Sequence, residues 1–340
     1  MTEPAPTDEA ELEERLSLPT AGAIEVLRQR PGDLVVLGAG GKMGPTLARM
    51  ARRALDARYR VIAVSRFHTP GLRERLEAAG VETRTADLLD RPTVARLPDA
   101  ANLIFMAGQK FRTQDAPHVT WAMNAVVPIY AAERYARTPT VVFSTGNVYP
   151  LTPVASGGPT EGHPVGPVGE YAASCLARER IFEHAAATLG TPVTIMRLNY
   201  AVDLRYGVLV DVARRVLAGE PVPLEMGYVN LIWQGDANAR ALQCLSLAAS
   251  PAAVLNVTGP ETIAVRDLAR QFGDYFGRKP VFRGMEAPDA LLSNAAKSVA
   301  LFGPPSVTIA TMVEWTGAWL RRGGPLWEKP THFEEREGRF

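Results

Sequence analysis

The chain is 340 residues long, and 37 Lys and Arg against 36 Asp and Glu leave a formal charge of +1. So even a balance provides no basic footprint for nucleic acid and no polybasic segment for an anionic membrane, and a hydrophobic share of 46% argues against global disorder. Two cysteines, Cys175 and Cys244, are too few for a disulfide framework or a four-ligand zinc site, and the five histidines (His68, His118, His163, His184, His332) show no ligand spacing, so no metal is expected.

Residues 1–7 are polar and Pro-rich and are expected to fray. The acidic start MTEPAPTDEAELEE lacks the charged and apolar regions of a signal peptide. No run approaches the roughly 18 apolar residues of a membrane span, so a soluble, cytoplasmic protein with no membrane partner is expected. Asp8–Ser17 predicts a helix, and Thr20 caps a second one through Arg30, which Pro31-Gly32 stops. Residues 1–30 thus read as an N-terminal helical extension. Strands are then predicted over 33–37, 60–65, 81–85, 102–107, 140–144 and 192–198. Helices are predicted over 45–56, 72–79, 93–97, 120–136 and 170–189. Short apolar runs alternating with amphipathic helices imply βαβ units and a parallel sheet covered on both faces. After 198 the rhythm changes. Helices are expected over 208–218, 236–249, 265–276, 287–301 and 308–321, with strands at 229–233 and 253–257.

Gly38-Ala39-Gly40-Gly41-Lys42-Met43-Gly44 lies between the first strand and the first of these helices. Glycine permits the tight bend, bare backbone lets a pyrophosphate approach, and the helix N-terminus supplies unpaired N–H groups. Gly38, Gly40, Gly41, Lys42, Met43 and Gly44 are therefore candidate dinucleotide-binding residues. The spacing GxxGxxG, with glycines at 38, 41 and 44, resembles the extended short-chain dehydrogenase/reductase family, the NAD-dependent epimerases and dehydratases. The resemblance spans about residues 33–320. It implies an α/β fold: a Rossmann doubly wound parallel sheet over 31–198, completed by about 229–257. A smaller, mostly helical substrate-binding cap would then comprise 199–228 and 258–325, with 326–340 a polar tail.

The second strand ends in Ser65-Arg66 with no carboxylate. Arginine pairs a 2′-phosphate where an acidic residue would bond ribose hydroxyls, so NADP is preferred over NAD. The resemblance places Asp87-Leu88 near adenine and Ala107-Gly108 beside the cofactor, and Asn124 matches a frequent asparagine of the family. It also implies a hydroxyl residue after the fifth strand, here Thr145, and a proton-exchanging tyrosine, here Tyr171, which also touches the cofactor. Four residues on, where the family has a lysine that lowers the tyrosine pKa, this chain has Cys175. Three readings stay open. The protein binds a dinucleotide without hydride chemistry, in a regulatory or scaffold role. Alternatively another cation, Arg178 or Lys110, takes over. The third is that Cys175 is itself chemical.

On the substrate side, nucleotide-sugar enzymes of the family carry an arginine where this chain has Val229. A smaller polyol, sugar or sugar acid is therefore as fitting a substrate as a nucleotide sugar. Asn147, Tyr149, Asn199 and Trp233 are candidate pocket residues. The expected activity is NAD(P)-dependent oxidation, reduction or epimerisation at a carbinol carbon of a sugar-like substrate. Relatives often dimerise through the helices near 120–136 and 170–189, so a homodimer is compatible with the sequence though not required by it.

Overall fold

The computed structural model describes residues 4–110, 115–327, 329 and 331–339. Seven strands form the central sheet: β1 (Leu34–Leu37), β2 (Val61–Ser65), β3 (Glu82–Thr85), β4 (Asn102–Phe105), β5 (Thr140–Thr145), β6 (Val193–Leu198) and β7 (Ala253–Val257). Their order is β7-β6-β5-β4-β1-β2-β3, and every neighbouring pair is parallel. The expected doubly wound α/β architecture is present. Thirteen α-helices surround or extend it among the described residues. They are α1 (Glu9–Leu16), α2 (Ala21–Gln29), α3 (Gly44–Ala54), α4 (Leu72–Ala78), α5 (Arg91–Ala95), α6 (Pro117–Trp121), α7 (Val127–Arg134), α8 (Gly169–Leu189), α9 (Val208–Ala218), α10 (Gln234–Gln243), α11 (Val265–Phe276), α12 (Ala296–Phe302) and α13 (Ile309–Arg321).

The side-chain period of 2 in a strand explains how one short run serves two layers. In β1, Leu34 and Val36 pack with Leu47, Met50 and Ala51 of α3 and with Leu242 of α10. Val35 and Leu37 point the other way, to Val127 and Ala131 of α7 and Phe182 of α8. A sheet buried on both faces needs such unbroken apolar runs. The edge strand β3, with sequence ETRT, departs most from them. A third core unites α9, α11 and α13, with Trp315, Trp319, Phe272 and Val229 inside it.

Several expectations are corrected. The helix predicted over 120–136 is α6, a π turn at Ala122–Val126, and α7. Pro128 lacks an N–H and crowds the carbonyl four residues back, so the ladder widens just before it. The strand predicted over 229–233 is two separate ladders. Tyr228–Val229 pairs with Ile263–Ala264, and Ile232–Trp233 pairs with Ala201–Val202. Asn230 makes the break, donating to Glu261 O at 2.9 Å and accepting from Ser293 N at 2.9 Å. Within 229–257 only β7 joins the main sheet. The helix expected over 287–301 begins at Ala296, where Asn294 Oδ1 takes the amide of Ala296 in a side-chain turn.

The described residues near both ends are fastened. Residues 4–7 are not frayed: Pro4 O accepts from Arg15 at 2.6 Å, Pro6 is buried, and the Thr7 amide donates to Glu11 at 2.7 Å. Residues 1–3 lie outside the described ones. At the other end, the segment after α13 is no loose polar tail, because Phe333 is only 1% exposed within the third core.

Candidate active site

Strand order reverses at β1, which has β2 on one side and β4 on the other. Loops leaving β1 and β4 therefore diverge and open a crevice at the carboxyl ends of the strands. The glycine loop lies there. Gly38 has φ +87°, donates to Val64 O at 2.9 Å, and leaves no space for a Cβ, which would stand 2.5 Å from Ala107 N. A Cβ on Gly44 would overlap Ala39 O, so α3 can press close only with glycine there. At Gly41 a Cβ would meet nothing nearer than Gly38 O at 3.5 Å, leaving bare backbone beside open space. Helix α3 starts without a side-chain cap, so its first N–H groups have no side-chain partner. The Met43 side chain itself is in the core, so any contact it makes with a ligand is through its backbone. A Cβ on Gly40 would overlap Ser65 Oγ, which puts the end of β2 against the loop, with Arg66 exposed beyond it. Asp87 is exposed and accepts from Leu89 N at 3.0 Å, whereas Leu88 is buried in the core.

Across the crevice, β5 ends in Thr145, whose Oγ1 donates to Asn147 Oδ1 at 2.9 Å and accepts from Asn147 N at 3.2 Å. The Tyr171 hydroxyl lies within hydrogen-bond reach of both the Thr145 hydroxyl and the Cys175 thiol. Residues four apart share a helix face, which stacks Cys175 one turn beyond Tyr171. Burial pushes the Tyr171 phenol well above its ordinary value; Cys175 adds to the rise, while Arg178 and the Thr145 hydrogen bond oppose it. Burial also pushes the Cys175 thiol up, so it stays neutral at physiological pH. The shift favours the neutral thiol beside Tyr171.

Two cations approach this pair. Arg178 is fixed, donating to Phe143 O at 2.8 Å and to Asn124 Oδ1 at 2.6 Å. A Cβ on Gly108 would overlap its guanidinium, so this glycine lets Arg178 come up beneath the exposed loop after Ala107. Asn124, carried on the π turn, also donates to Ser174 Oγ and Gln109 O, each at 2.9 Å. Lys110 follows the same loop, and its Nζ stands 5.9 Å from the centre of the Tyr171 ring. Burial pushes Lys110 down to about 8, with Cys175 and Asp211 pulling it back up.

Lys42 reaches from the glycine loop to the cap, donating to Ala201 O at 2.8 Å with its Nζ 4.2 Å from the Tyr206 ring centre. It too is pushed down by burial to about 8, opposed by Asp203. Beneath the site, Glu179 pairs with Arg197 at 2.7 Å and hydrogen-bonds Ser144, all out of water. Sequence reasoning passed over Glu179; a buried arginine on a strand, needing a carboxylate, was the available signal.

Of the expected pocket residues, Tyr149 is spent on this network: it donates to Asn256 Oδ1 and accepts from Arg197, both at 2.8 Å. Trp233 is a core side chain, edge-on to Trp315 with ring centres 5.4 Å apart. These two are corrected to structural residues. Asn147 stays beside Thr145, and the Asn199 side-chain nitrogen is buried without a hydrogen-bond partner. Tyr200, next to it, has φ +40°, an uncommon left-handed conformation for a tyrosine. Among the described residues, no group of three or more His, Cys, Asp or Glu is placed to hold a metal ion, and no helix is long and apolar enough to cross a membrane.

A search of curated proteins found no match. Solved structures of low identity share the fold. The UDP-glucose 4-epimerase of Thermus thermophilus, complexed with NAD, is 21% identical with a TM-score of 0.70, covering 85% of this chain and 99% of its own. The UDP-glucose 4-epimerase of the hyperthermophilic eubacterium Thermotoga maritima, with UDP-glucose, is 17% identical with a TM-score of 0.69, covering 86% and 99%. The UDP-glucuronic acid 4-epimerase of Bacillus cereus, complexed with NAD, is 16% identical with a TM-score of 0.71, covering 85% and 99%. The profile described as the NAD dependent epimerase/dehydratase family matches residues 34–227, from β1 through the glycine loop and Tyr171 into the cap, and the chain belongs to that family.

Proposed function

We propose that this protein is a nicotinamide-dinucleotide-dependent oxidoreductase or epimerase acting at a carbinol carbon of a sugar-like substrate. The observation that carries the reading is the Thr145–Tyr171 hydroxyl pair at the carboxyl end of β5, at the same end of the parallel sheet as the glycine loop after β1. The cradle fits a dinucleotide: Gly38 and Gly44 have no room for a Cβ, and Gly41 faces open space. Gly38, Gly40, Gly41 and the first amides of α3 would hold the linked phosphates, with Ser65 and Arg66 toward the adenine ribose. The want of a carboxylate at that point favours NADP over NAD. When bound, the nicotinamide supplies the hydride exchange.

The chain's own part is to hold the reacting oxygen and handle its proton. Thr145 binds that oxygen, and Tyr171 gives or takes its proton. A buried phenol needs a cation near it to ionise. Lys110 meets that need from the loop after β4, in place of the lysine that the family resemblance puts at position 175, while Arg178 supports the site from beneath. The named relatives with NAD and UDP-sugars support the substrate class, but Val229 lies in the apolar core and offers no charge to a diphosphate. A compact sugar, polyol or sugar acid is therefore preferred. One observation favours the second reading, a coenzyme-binding protein without turnover: the residue one turn beyond Tyr171 is a neutral thiol.

The test mixes purified protein with NADP or NAD and a panel of sugars, polyols and sugar acids, following nicotinamide absorbance and the product spectra by NMR. Substrate-dependent turnover lost in Tyr171→Phe is expected. Coenzyme binding without turnover across the panel supports the second reading. Failure of either coenzyme to bind the folded chain in calorimetry overturns both.

A further inference from the structure

Arg178 is a buried charge with no carboxylate against it. It is 5% exposed, and among the described residues it makes no ion pair; Glu179, the next residue, is committed to Arg197 and Ser144. Its Nε is buried without a hydrogen-bond partner. Removing a guanidinium from water without an anion beside it is costly, and an apolar side chain would fill the same space at lower cost. The contacts of Arg178 show what the charge is used for.

Nη1 donates to Phe143 O at 2.8 Å, two residues before Thr145 on β5. Nη2 donates to Asn124 Oδ1 at 2.6 Å and lies against Gly108, where a Cβ would overlap it. The guanidinium carbon stands 5.8 Å from the ring centre of Phe105, at the end of β4. Asn124 carries the connection onward. Its Oδ1 also accepts from Gln109 N at 2.8 Å, and its Nδ2 donates to Gln109 O at 2.9 Å, so both backbone groups of Gln109 are held. Lys110 is the next residue, with its Nζ 5.9 Å from the Tyr171 ring centre. The second Nδ2 bond goes to Ser174 Oγ, which in turn donates to Tyr171 O at 2.9 Å. Seven residues beyond Tyr171, Arg178 shares its helix face. One buried side chain thus ties together the strand of Thr145, the loop that presents Lys110 and the first turns of α8.

We propose that Arg178 is a positioning residue: through Asn124 it fixes the Gln109 backbone and so holds the Lys110 ammonium against the Tyr171 ring. This rests on the function proposed above and deepens it, by naming the group that sets the geometry between the cation and the phenol. A hydrogen bond from a charged donor is roughly twice as strong as a neutral one. Without it, Asn124 loses its strongest partner, the loop after β4 lifts, and Lys110 turns toward water.

The chain has five lysines, at 42, 110, 279, 297 and 329. Carbon-13 NMR of protein labelled at lysine Cε therefore follows each ammonium, and Lys110 is the signal missing from Lys110→Arg. Lys110 faces Tyr171 and Cys175 from α8, with Asp211 of α9 and Lys42 of the glycine loop also acting on it, and burial sets its pKa at about 8. The unmodified protein is expected to show that midpoint. In Arg178→Met and in Asn124→Ala, each checked for folding by thermal melt, it is expected to rise by about one unit or more toward the ordinary value of a solvated lysine. Asn124→Ala keeps the Arg178 charge, so the pair separates positioning from a through-space effect. A rise in only one of the two, or in neither, overturns the proposal. Should they misfold, Arg178→Lys decides: it keeps the charge but loses the planar two-point reach, the same rise is expected, and an unmoved midpoint overturns the proposal. Turnover on the panel above judges the functional reading separately. Where there is turnover, Arg178→Met is expected to lower kcat about tenfold or more with the coenzyme KM within about twofold, and an unchanged kcat overturns the proposal. Where the unmodified protein turns over nothing, the function proposed above falls, while the lysine titration still decides the positioning.

Discussion

Gly38 and Gly41 differ in what a methyl group would meet, and that difference separates folding from binding. At Gly38 the new Cβ would collide with the Ala107 backbone at 2.5 Å in a left-handed conformation. Gly38→Ala is expected to lose both thermal stability and coenzyme affinity. At Gly41 the nearest atom would be 3.5 Å away, so Gly41→Ala should melt near the parent while coenzyme affinity falls about tenfold or more, a loss of 1.4 kcal/mol or more. Thermal melts beside calorimetric titrations check the pair, and equal coenzyme affinity for Gly41→Ala and parent would count against the phosphate cradle. The charge on Lys110 makes its own prediction. The Lys110 pKa is depressed to about 8, so its ammonium is present below that pH and lost above it. Turnover that depends on the charge should drop as pH rises through about 8. Lys110→Arg should keep its activity to higher pH, because guanidinium does not titrate there, and Lys110→Met should be slow throughout. Superimposable pH–rate curves for the three proteins would remove Lys110 from the chemistry.

Helix α8 does two jobs at once, presenting Tyr171 to the crevice and burying Glu179 against Arg197 on β6. Breaking a buried pair by removing one partner strands the other charge, at a cost of about 3–5 kcal/mol. Glu179→Ala should lower stability by that order in chemical denaturation, whereas replacing both residues with apolar ones of similar size should cost much less. Near-equal losses would mean the pair is better solvated than its burial suggests. Much of this level was legible beforehand. The strands of the sheet, α3 and α8 were placed within a residue or two: a doubly buried strand leaves an unbroken apolar run, and α3 a periodic apolar face. The π turn was not, since a lone Pro128 inside an otherwise helical pattern signals disruption without saying which ladder results. The Lys110 approach to Tyr171 was open only as one of two alternatives, because side-chain neighbours from distant loops leave no periodic trace. Tyr149 and Trp233 were misjudged for the same reason: a large polar or aromatic residue near a motif reads alike whether it faces a ligand or a core.

At the scale of the molecule, α1 and α2 join the two halves. Leu12 and Leu16 belong to the cap core, and Ala23 and Leu27 to the sheet core. Glu13 and Glu14 pair with Arg49 and Arg53 on α3, and Glu13 also reaches Arg205 beneath the C-terminal segment. Leu16→Ala should cost about 2–5 kcal/mol, in the range for a large-to-small core change, and should raise hydrogen exchange in α3 and α13 together. Exchange confined to α1 would mean the extension is an independent appendage. None of this bridging could be read from the opening residues, whose charge pattern describes one helix and not what it lies across.

β7 enters the sheet only after α9 and α10 have been made, and its whole length pairs with Thr194–Leu198 of β6. While a ribosome is still working toward residue 257, the newly synthesised β6 edge has no neighbour on that side. An apolar strand with open backbone groups is a template for pairing with another nascent chain. The interval between translating Leu198 and Val257 is therefore where crowding on a polysome should most threaten yield, and where slowed growth or a holding chaperone should most improve recovery.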